Sequence, residues 1–237
     1  MVYHWLINSL HSWLPQACCL CGQSSHPHAI CPACQHDLPR FDAKSCCRQC
    51  GRPTTMASGG PCGHCLRQPP AYDAVIAGYG YADPIAQLVS KLKFRGQIQL
   101  ARLFGELLAE RVADSANQIQ AILPVPLHPR RLRQRGFNQA LEIARSLARQ
   151  HGLPILRHGL YRQRDTLPQS SQVRDQRRQN VRGAFCLNRL PALDSIAIVD
   201  DVMTSGHTVN EIAKLCRRAG IRRIEVWCVA RAWPHPH

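Results

Sequence analysis

Ser195 to Thr208 reads SIAIVDDVMTSGHT, and this stretch decides the fold. Ile196, Ala197, Ile198 and Val199 form an unbroken apolar run, the pattern of a strand buried on both faces. Two adjacent acids follow, Asp200 and Asp201, and then the small-residue loop Thr204-Ser205-Gly206-His207-Thr208. Behind the loop, Val209, Ile212, Ala213 and Cys216 recur at helical spacing, and Gly220 after Arg217-Arg218 supplies a stop. The order is strand, acidic pair, loop, helix.

That order has a chemical use. A loop of Thr, Ser and Gly entering a helix lets several backbone N–H groups converge on one anion, aided by the helix dipole. Gly206 permits a left-handed backbone there, and the hydroxyls of Thr204, Ser205 and Thr208 add donors. Two carboxylates cannot hold the same phosphate, but they suit a vicinal diol or a hard cation such as Mg²⁺. A ribose 5-phosphate meets both demands, with its phosphate in the loop and its diol on the acids. An ordinary strand-to-helix turn accounts for a lone acidic pair, though not for the whole order.

The stretch resembles the phosphoribosyl-pyrophosphate (PRPP) signature of type I phosphoribosyltransferases. The resemblance implies an α/β fold, a variant of the doubly wound sheet, with PRPP and Mg²⁺ at the carboxyl ends of parallel strands. It implies that Asp200 and Asp201 hold the ribose diol and that Thr204, Ser205, Gly206, His207 and Thr208 hold the 5-phosphate. Hypoxanthine-type members carry an aspartate, used on the base, where this chain has Thr204. Salvage of 6-oxopurines is therefore disfavoured.

Upstream, ten of the thirteen cysteines lie between Cys18 and Cys65. Cys18/Cys21, Cys31/Cys34, Cys47/Cys50 and Cys62/Cys65 are four C-x-x-C knuckles, enough thiolates for two tetrahedral zinc sites. Disulfides are the rival reading, but nothing here indicates secretion, and cytoplasmic thiols stay reduced. Sequential use gives Cys18, Cys21, Cys31, Cys34 for one ion and Cys47, Cys50, Cys62, Cys65 for the other. A cross-braced pairing also satisfies the spacing. Cys19 and Cys46 adjoin ligands and offer substitutes, and His26, His28, His36 and His64 are secondary candidates. With few apolar residues, this module, residues 18–68, is expected to fold only with metal bound. Before it, Val2, Trp5, Leu6, Leu10 and Trp13 are spaced for a short helix within residues 1–17. The opening residues lack a basic segment and a small-residue cleavage site, and no apolar run approaches the length of a transmembrane helix. The chain is expected in the cytoplasm.

Pro69-Pro70 marks a boundary, and residues 71–237 are expected to form the second, larger domain. Tyr72 to Tyr81 reads as a strand. Ile85, Leu88, Val89 and Leu92 mark one helix face, and Leu100, Leu103, Phe104, Leu107, Leu108 and Val112 mark a second. The basic turn between them, Lys91 to Gly96, faces either solvent or a phosphate. Ala121 to Pro126 is a short strand whose prolines keep it from being central throughout. It opens into a loop with Arg130, Arg131, Arg133 and Arg135, and Asn138 is placed to cap the helix that follows.

The formal charge is +15, and only four of the thirty basic residues are lysines. From Leu127 to Arg182, thirteen arginines face three acids, a local balance of +10. Guanidinium forks match phosphate oxygens, so an anionic partner is expected. Tyr161 to Phe185 is long and polar, a lid or a disordered loop by composition.

The cysteine knuckles, Arg135-Gly136-Phe137-Asn138-Gln139, the segment Gln169 to Phe185 and the PRPP motif together resemble the ComF family along nearly the whole chain. Its members are associated with DNA uptake and with use of external DNA as a nutrient. The resemblance implies a phosphoribosyltransferase-like domain behind a zinc-ribbon-like module. Arg130 and Arg131 would grip pyrophosphate, and Gln169, Arg177, Arg178 and Asn180 would lie in a mobile loop over PRPP. Single-stranded DNA and other DNA-uptake proteins are the implied partners. Three functions fit: a phosphoribosyltransferase of unknown acceptor, an electrostatic binder of single-stranded DNA, and a PRPP sensor without catalysis.

Overall fold

A computed structural model describes residues 17–25, 29–55, 60–164 and 183–233. The expected N-terminal helix and the expected mobile-loop residues Gln169, Arg177, Arg178 and Asn180 lie outside the described residues. By packing, the chain divides into two units, 1–39 and 40–237.

In the first unit a tight cysteine turn precedes a short helix. The Cys18 amide donates to the Gln23 carbonyl at 2.7 Å and the Gly22 amide to the Cys18 carbonyl at 3.0 Å. Helix α1 (Pro32–His36) starts from Cys31 with proline in its first turn.

The second unit opens with a turn of the same make. The amides of Cys47 and Gly51 donate to the carbonyls of Arg52 and Cys47, both at 2.7 Å, and helix α2 is Gly63–Arg67. The elements that follow are β1 (Ala74–Gly80), α3 (Ile85–Phe94), α4 (Gln99–Ala116), β2 (Ala121–Pro124), α5 (Pro129–Arg135) and α6 (Gln139–His151). Then come β3 (Leu160–Arg162), β4 (Phe185–Leu187), β5 (Ser195–Met203), α7 (His207–Arg218) and β6 (Arg223–Arg231).

Four strands form one parallel sheet in the order β1-β6-β5-β2. Because all four run the same way, their carboxyl ends share one edge, where β5 turns into α7 and β2 into α5. Ile196 to Val199 of β5 are fully buried. Ile196 and Ile198 join Val209, Ile212, Ala213 and Cys216 of α7 in one cluster. Strand alternation turns Ala197 and Val199 to the opposite face, where α6 packs on β5 and α4 on β6. Each buried Ile or Val contributes about 1.5–3 kcal/mol, so this run both forms the strand and fixes its place between neighbours. Pro124 ends β2 opposite Val199, and β2 lies at the edge of the sheet, as a strand lacking that donor should.

Two elements differ from expectation. The arginine-rich segment after β2 is a helix, α5, not an open loop. Pro129 presets its first turn, the His128 ring nitrogen accepts the Arg130 amide at 3.3 Å, and Gly136 closes it at φ 82°. β3 and β4 form an antiparallel pair at the two ends of the long polar segment. Three-residue strands are too short to show a period. Asn138 caps α6 as expected, its side-chain oxygen accepting the Ala140 amide at 3.0 Å.

The crossing of α4 on α6 depends on one glycine. A Cβ at Gly105 would lie 2.3 Å from Ser146 Cβ and 2.9 Å from the Ile143 carbonyl oxygen. Gly105→Ala should therefore destabilise the protein by about 1–3 kcal/mol through overpacking, read as a lower thermal midpoint. Ser146→Gly in the same chain should recover part of the loss, and an unchanged midpoint in the single variant would contradict this crossing.

Candidate functional site

The site is built at the carboxyl edge of the sheet. β5 delivers Asp200 and Asp201 and then breaks into Thr204-Ser205-Gly206, and α7 begins at His207. Gly206 adopts φ +80°, and a Cβ there would meet Met203 Cε at 2.8 Å and Tyr72 Oη at 3.3 Å. Glycine is favoured there because an L side chain is strained at that φ whatever the space around it. The turn directs the first amides of α7 toward a concavity lined by Asp200 and by Thr204 to Val209. Ser205 Oγ is buried and has no hydrogen-bond partner among the described residues. A buried hydroxyl left in that state costs about 1–3 kcal/mol, a cost that a bound anion would relieve.

The loop is held from behind by a residue that sequence reasoning passed over. Arg231, the last residue of β6, is 1% exposed. Its Nε donates to the Cys50 carbonyl at 2.8 Å and its Nη1 to the Met203 carbonyl at 2.9 Å. The same Nη1 also reaches the carbonyls of Thr204 and Ala232. One guanidinium thus fastens the end of β5 to the second cysteine turn. The available signal was an arginine directly after the apolar run Val226 to Ala230.

The two acids are not equivalent. Asp201 is 3% exposed, while Asp200 is half-buried. Asp201 Oδ1 accepts the Val202 amide at 2.7 Å, and Asp200 Oδ1 accepts the Asp201 amide at 2.9 Å. Lys93 Nζ, from the last turn of α3, stands 2.7 Å from Asp201 Oδ2. Burial alone would lower the Lys93 ammonium, but the Asp201 carboxylate outweighs it and the net shift is upward. Asp200 has no such cation of its own. Burial, and then the charge of Asp201, push its carboxyl up to about 8, against a smaller opposing pull from Lys93. Arg135 is half-buried and within electrostatic reach of Asp201. Its Nη1 donates to Gln139 Oε1 at 2.7 Å, and its guanidinium lies 5.8 Å from the Phe94 ring centre.

Of the arginines expected near pyrophosphate, Arg130 is exposed and Arg131 half-buried, both on α5 at the same sheet edge. Arg131 sits close enough to Arg135 to repel it. The structure therefore adds Lys93 and Arg135 to the set chosen from sequence. Lys93 was visible as one of only four lysines in an arginine-rich chain, but its partner lies in a distant strand.

The cysteines gather as Cys18, Cys21, Cys31 and Cys34 in the first unit, and as Cys47, Cys50, Cys62 and Cys65 in the second. All sulfurs of a group lie within 4.8 Å of one another. Cys21 and Cys31 Sγ are 3.8 Å apart, and Cys50 and Cys62 Sγ are 3.7 Å apart. A tetrahedron with Zn–S bonds of about 2.3 Å has edges of about 3.8 Å, so both donor sets fit zinc. The Cys62 amide donates to Cys47 Sγ at 3.2 Å, stabilising a thiolate there. Burial works against that thiolate, but the amides of Cys62 and Cys50 overcome it and lower Cys47 to about 7. Neither Cys19 nor Cys46, nor His36 or His64, joins either group.

A larger cavity, about 650 Å³, opens at the amino ends of β1 and β6, away from these acids. Its two acids are already engaged. Asp73 pairs with Arg217 and accepts the Ile224 amide, and Glu225 is held by Ser115, Trp227 and Arg223. The buried hydroxyl of Ser205, without a hydrogen-bond partner among the described residues, is at the carboxyl edge instead. No helix among the described residues is long and apolar enough to cross a membrane.

Residues 9–66 match the double zinc ribbon domain family, and residues 99–233 match the phosphoribosyl transferase domain family. Competence protein F of Haemophilus influenzae is 35% identical over 226 residues, spanning 91% of this chain and 96% of that protein. DNA utilization protein YhgH of Escherichia coli K12 is 34% identical over 225 residues, spanning 92% of this chain and 98% of the relative. Competence protein ComFC of Streptococcus pneumoniae is 27% identical over 153 residues, 65% of this chain and 66% of that protein.

A carboxyl whose folded value lies above its unfolded value of about 4 loses stability as it ionises. The Asp200 contribution is therefore intact near pH 4 and lost by pH 9, since its folded value is about 8. Asp200→Asn should raise the thermal midpoint of the ligand-free protein, by more at pH 9 than at pH 5. An equal or falling midpoint across that range would contradict the assigned environment.

Proposed function

Since the chain belongs to the ComF family, with a double zinc ribbon ahead of a phosphoribosyl transferase domain, we propose that it binds PRPP with Mg²⁺ and serves the uptake or use of external DNA. The observation that carries the ligand is Ser205 Oγ, buried and unsatisfied beside the start of α7, four residues beyond a pair of acids. The 5-phosphate would take that hydroxyl, those of Thr204 and Thr208, and the amides of Gly206 and His207. The ribose diol would lie on Asp200 and Asp201, each carboxylate accepting a hydroxyl proton. Mg²⁺ would enter largely on the ligand's own phosphates, as it does where protein acids are few, and would offset the charge of the pyrophosphate. Arg130, Arg131 and Arg135 lie on α5 after β2 and would stabilise pyrophosphate as it develops charge. Transfer of the ribosyl group to an acceptor is the chemistry this geometry serves.

The DNA role is carried from the relatives named for competence and DNA utilization. It accords with the local balance of +10 between Leu127 and Arg182, which suits the backbone of single-stranded DNA. Other DNA-uptake proteins are proposed partners on the same ground, and the cytoplasm is the proposed location.

Titration calorimetry of the zinc-loaded protein with PRPP and Mg²⁺ tests the ligand. Saturable heat is expected, and at pH 9, where the Asp200 carboxyl is ionised, Asp200→Asn should weaken binding about 10- to 100-fold, the value of a charged hydrogen bond. Retention of single-stranded DNA at low salt should be unchanged in that variant. No heat from the wild-type protein at millimolar PRPP would overturn the proposal.

A further inference from the structure

Resting on the PRPP reading above, we propose that Lys93 is a displaceable counter-ion that makes the site select ribose phosphates bearing a pyrophosphate over those without one. Asp201 is almost fully enclosed, and its Oδ2 faces the Lys93 ammonium at 2.7 Å. A diol or a cation that engages Asp201 competes with that ammonium for the same oxygen. Lys93 is itself mostly enclosed, its side chain 23% exposed. An ammonium deprived of its partner in such a place is costly, because desolvation is no longer offset.

The ligand can return what it takes. A pyrophosphate on the anomeric carbon places several anionic oxygens beside the ring carbons whose hydroxyls sit on the acids. Lys93 carries its charge on a flexible four-carbon stem, and a short rotation would move it from carboxylate to phosphate. Arg135 is less suited to such a move, since Gln139 and the Phe94 ring hold its guanidinium. Ribose 5-phosphate evicts the lysine and offers it nothing. The same ion pair thereby penalises a ligand lacking pyrophosphate.

The experiment compares PRPP with ribose 5-phosphate, each with Mg²⁺, by calorimetry on the zinc-loaded full chain. For the wild type, PRPP should bind more tightly. In Lys93→Gln, PRPP should weaken about 10- to 100-fold, the loss of a charge-assisted contact. Ribose 5-phosphate should hold or gain, so the ratio collapses, while Lys93→Arg should keep most of it. If both ligands weaken equally in Lys93→Gln, Lys93 merely supports the site and the inference is wrong. A wild type that binds neither ligand overturns the PRPP reading and this inference together, a distinguishable result. A measurement on the unmutated protein guards against misfolding of the variant. With only four lysines in the chain, ¹⁵N-lysine labelling resolves the ammonium of Lys93. Its resonance should move to a new position with PRPP and not reach it with ribose 5-phosphate. Identical shifts with both ligands would overturn the proposal.

Discussion

A buried guanidinium holds this site together. Arg231 lies at the end of β6 with almost no exposure, and among the described residues no carboxylate is a partner of its hydrogen bonds. Backbone carbonyls take its protons instead, one in the second cysteine turn and the others around the loop that leaves β5. Burying such a charge costs several kcal/mol unless every donor is placed. The arrangement is therefore cooperative: the loop has its shape because Arg231 is satisfied, and Arg231 is satisfied only where the cysteine turn presents Cys50. A zinc ion with four thiolates carries net negative charge, so metal at Cys47, Cys50, Cys62 and Cys65 would also favour the cation beside it.

The opposite sign governs the front of the site. Two carboxylates at one strand end repel each other, and the fold divides the problem rather than removing it. Asp201 is matched with Lys93, while Asp200 is left with a raised carboxyl. Groups perturbed in this way concentrate at functional sites. The loop beyond shows the same economy in another form, a hydroxyl of Ser205 buried with no partner among the described residues.

Much of this was legible in the chain because it is local. Ile196 to Val199 had to be a doubly covered strand, Gly206 had to stand where a backbone turns left-handed, and Asn138 had to cap what followed it. The cysteine spacing contained both groups, though the choice between sequential and cross-braced sharing needed the sulfur positions. What escaped was long-range. Lys93 and Asp201 are separated by most of the domain, and nothing near either one names the other. Arg231 finds its carbonyl partners in the second cysteine turn and at the end of β5, far from it in sequence. The basic segment after β2 passed for a loop because its capping proline and glycine were outweighed by its charge, and β3 and β4 were too short to leave a pattern.

The dependence of the loop after β5 on the second cysteine turn is the central claim, and metal removal tests it most directly. The full chain would be stripped with a chelator, its zinc content measured, and its PRPP isotherm recorded before and after zinc is restored. The account predicts that binding is lost with the metal and returns with it, because Arg231 loses the frame that fixes Met203 and Thr204. An undiminished isotherm from metal-free protein would contradict it.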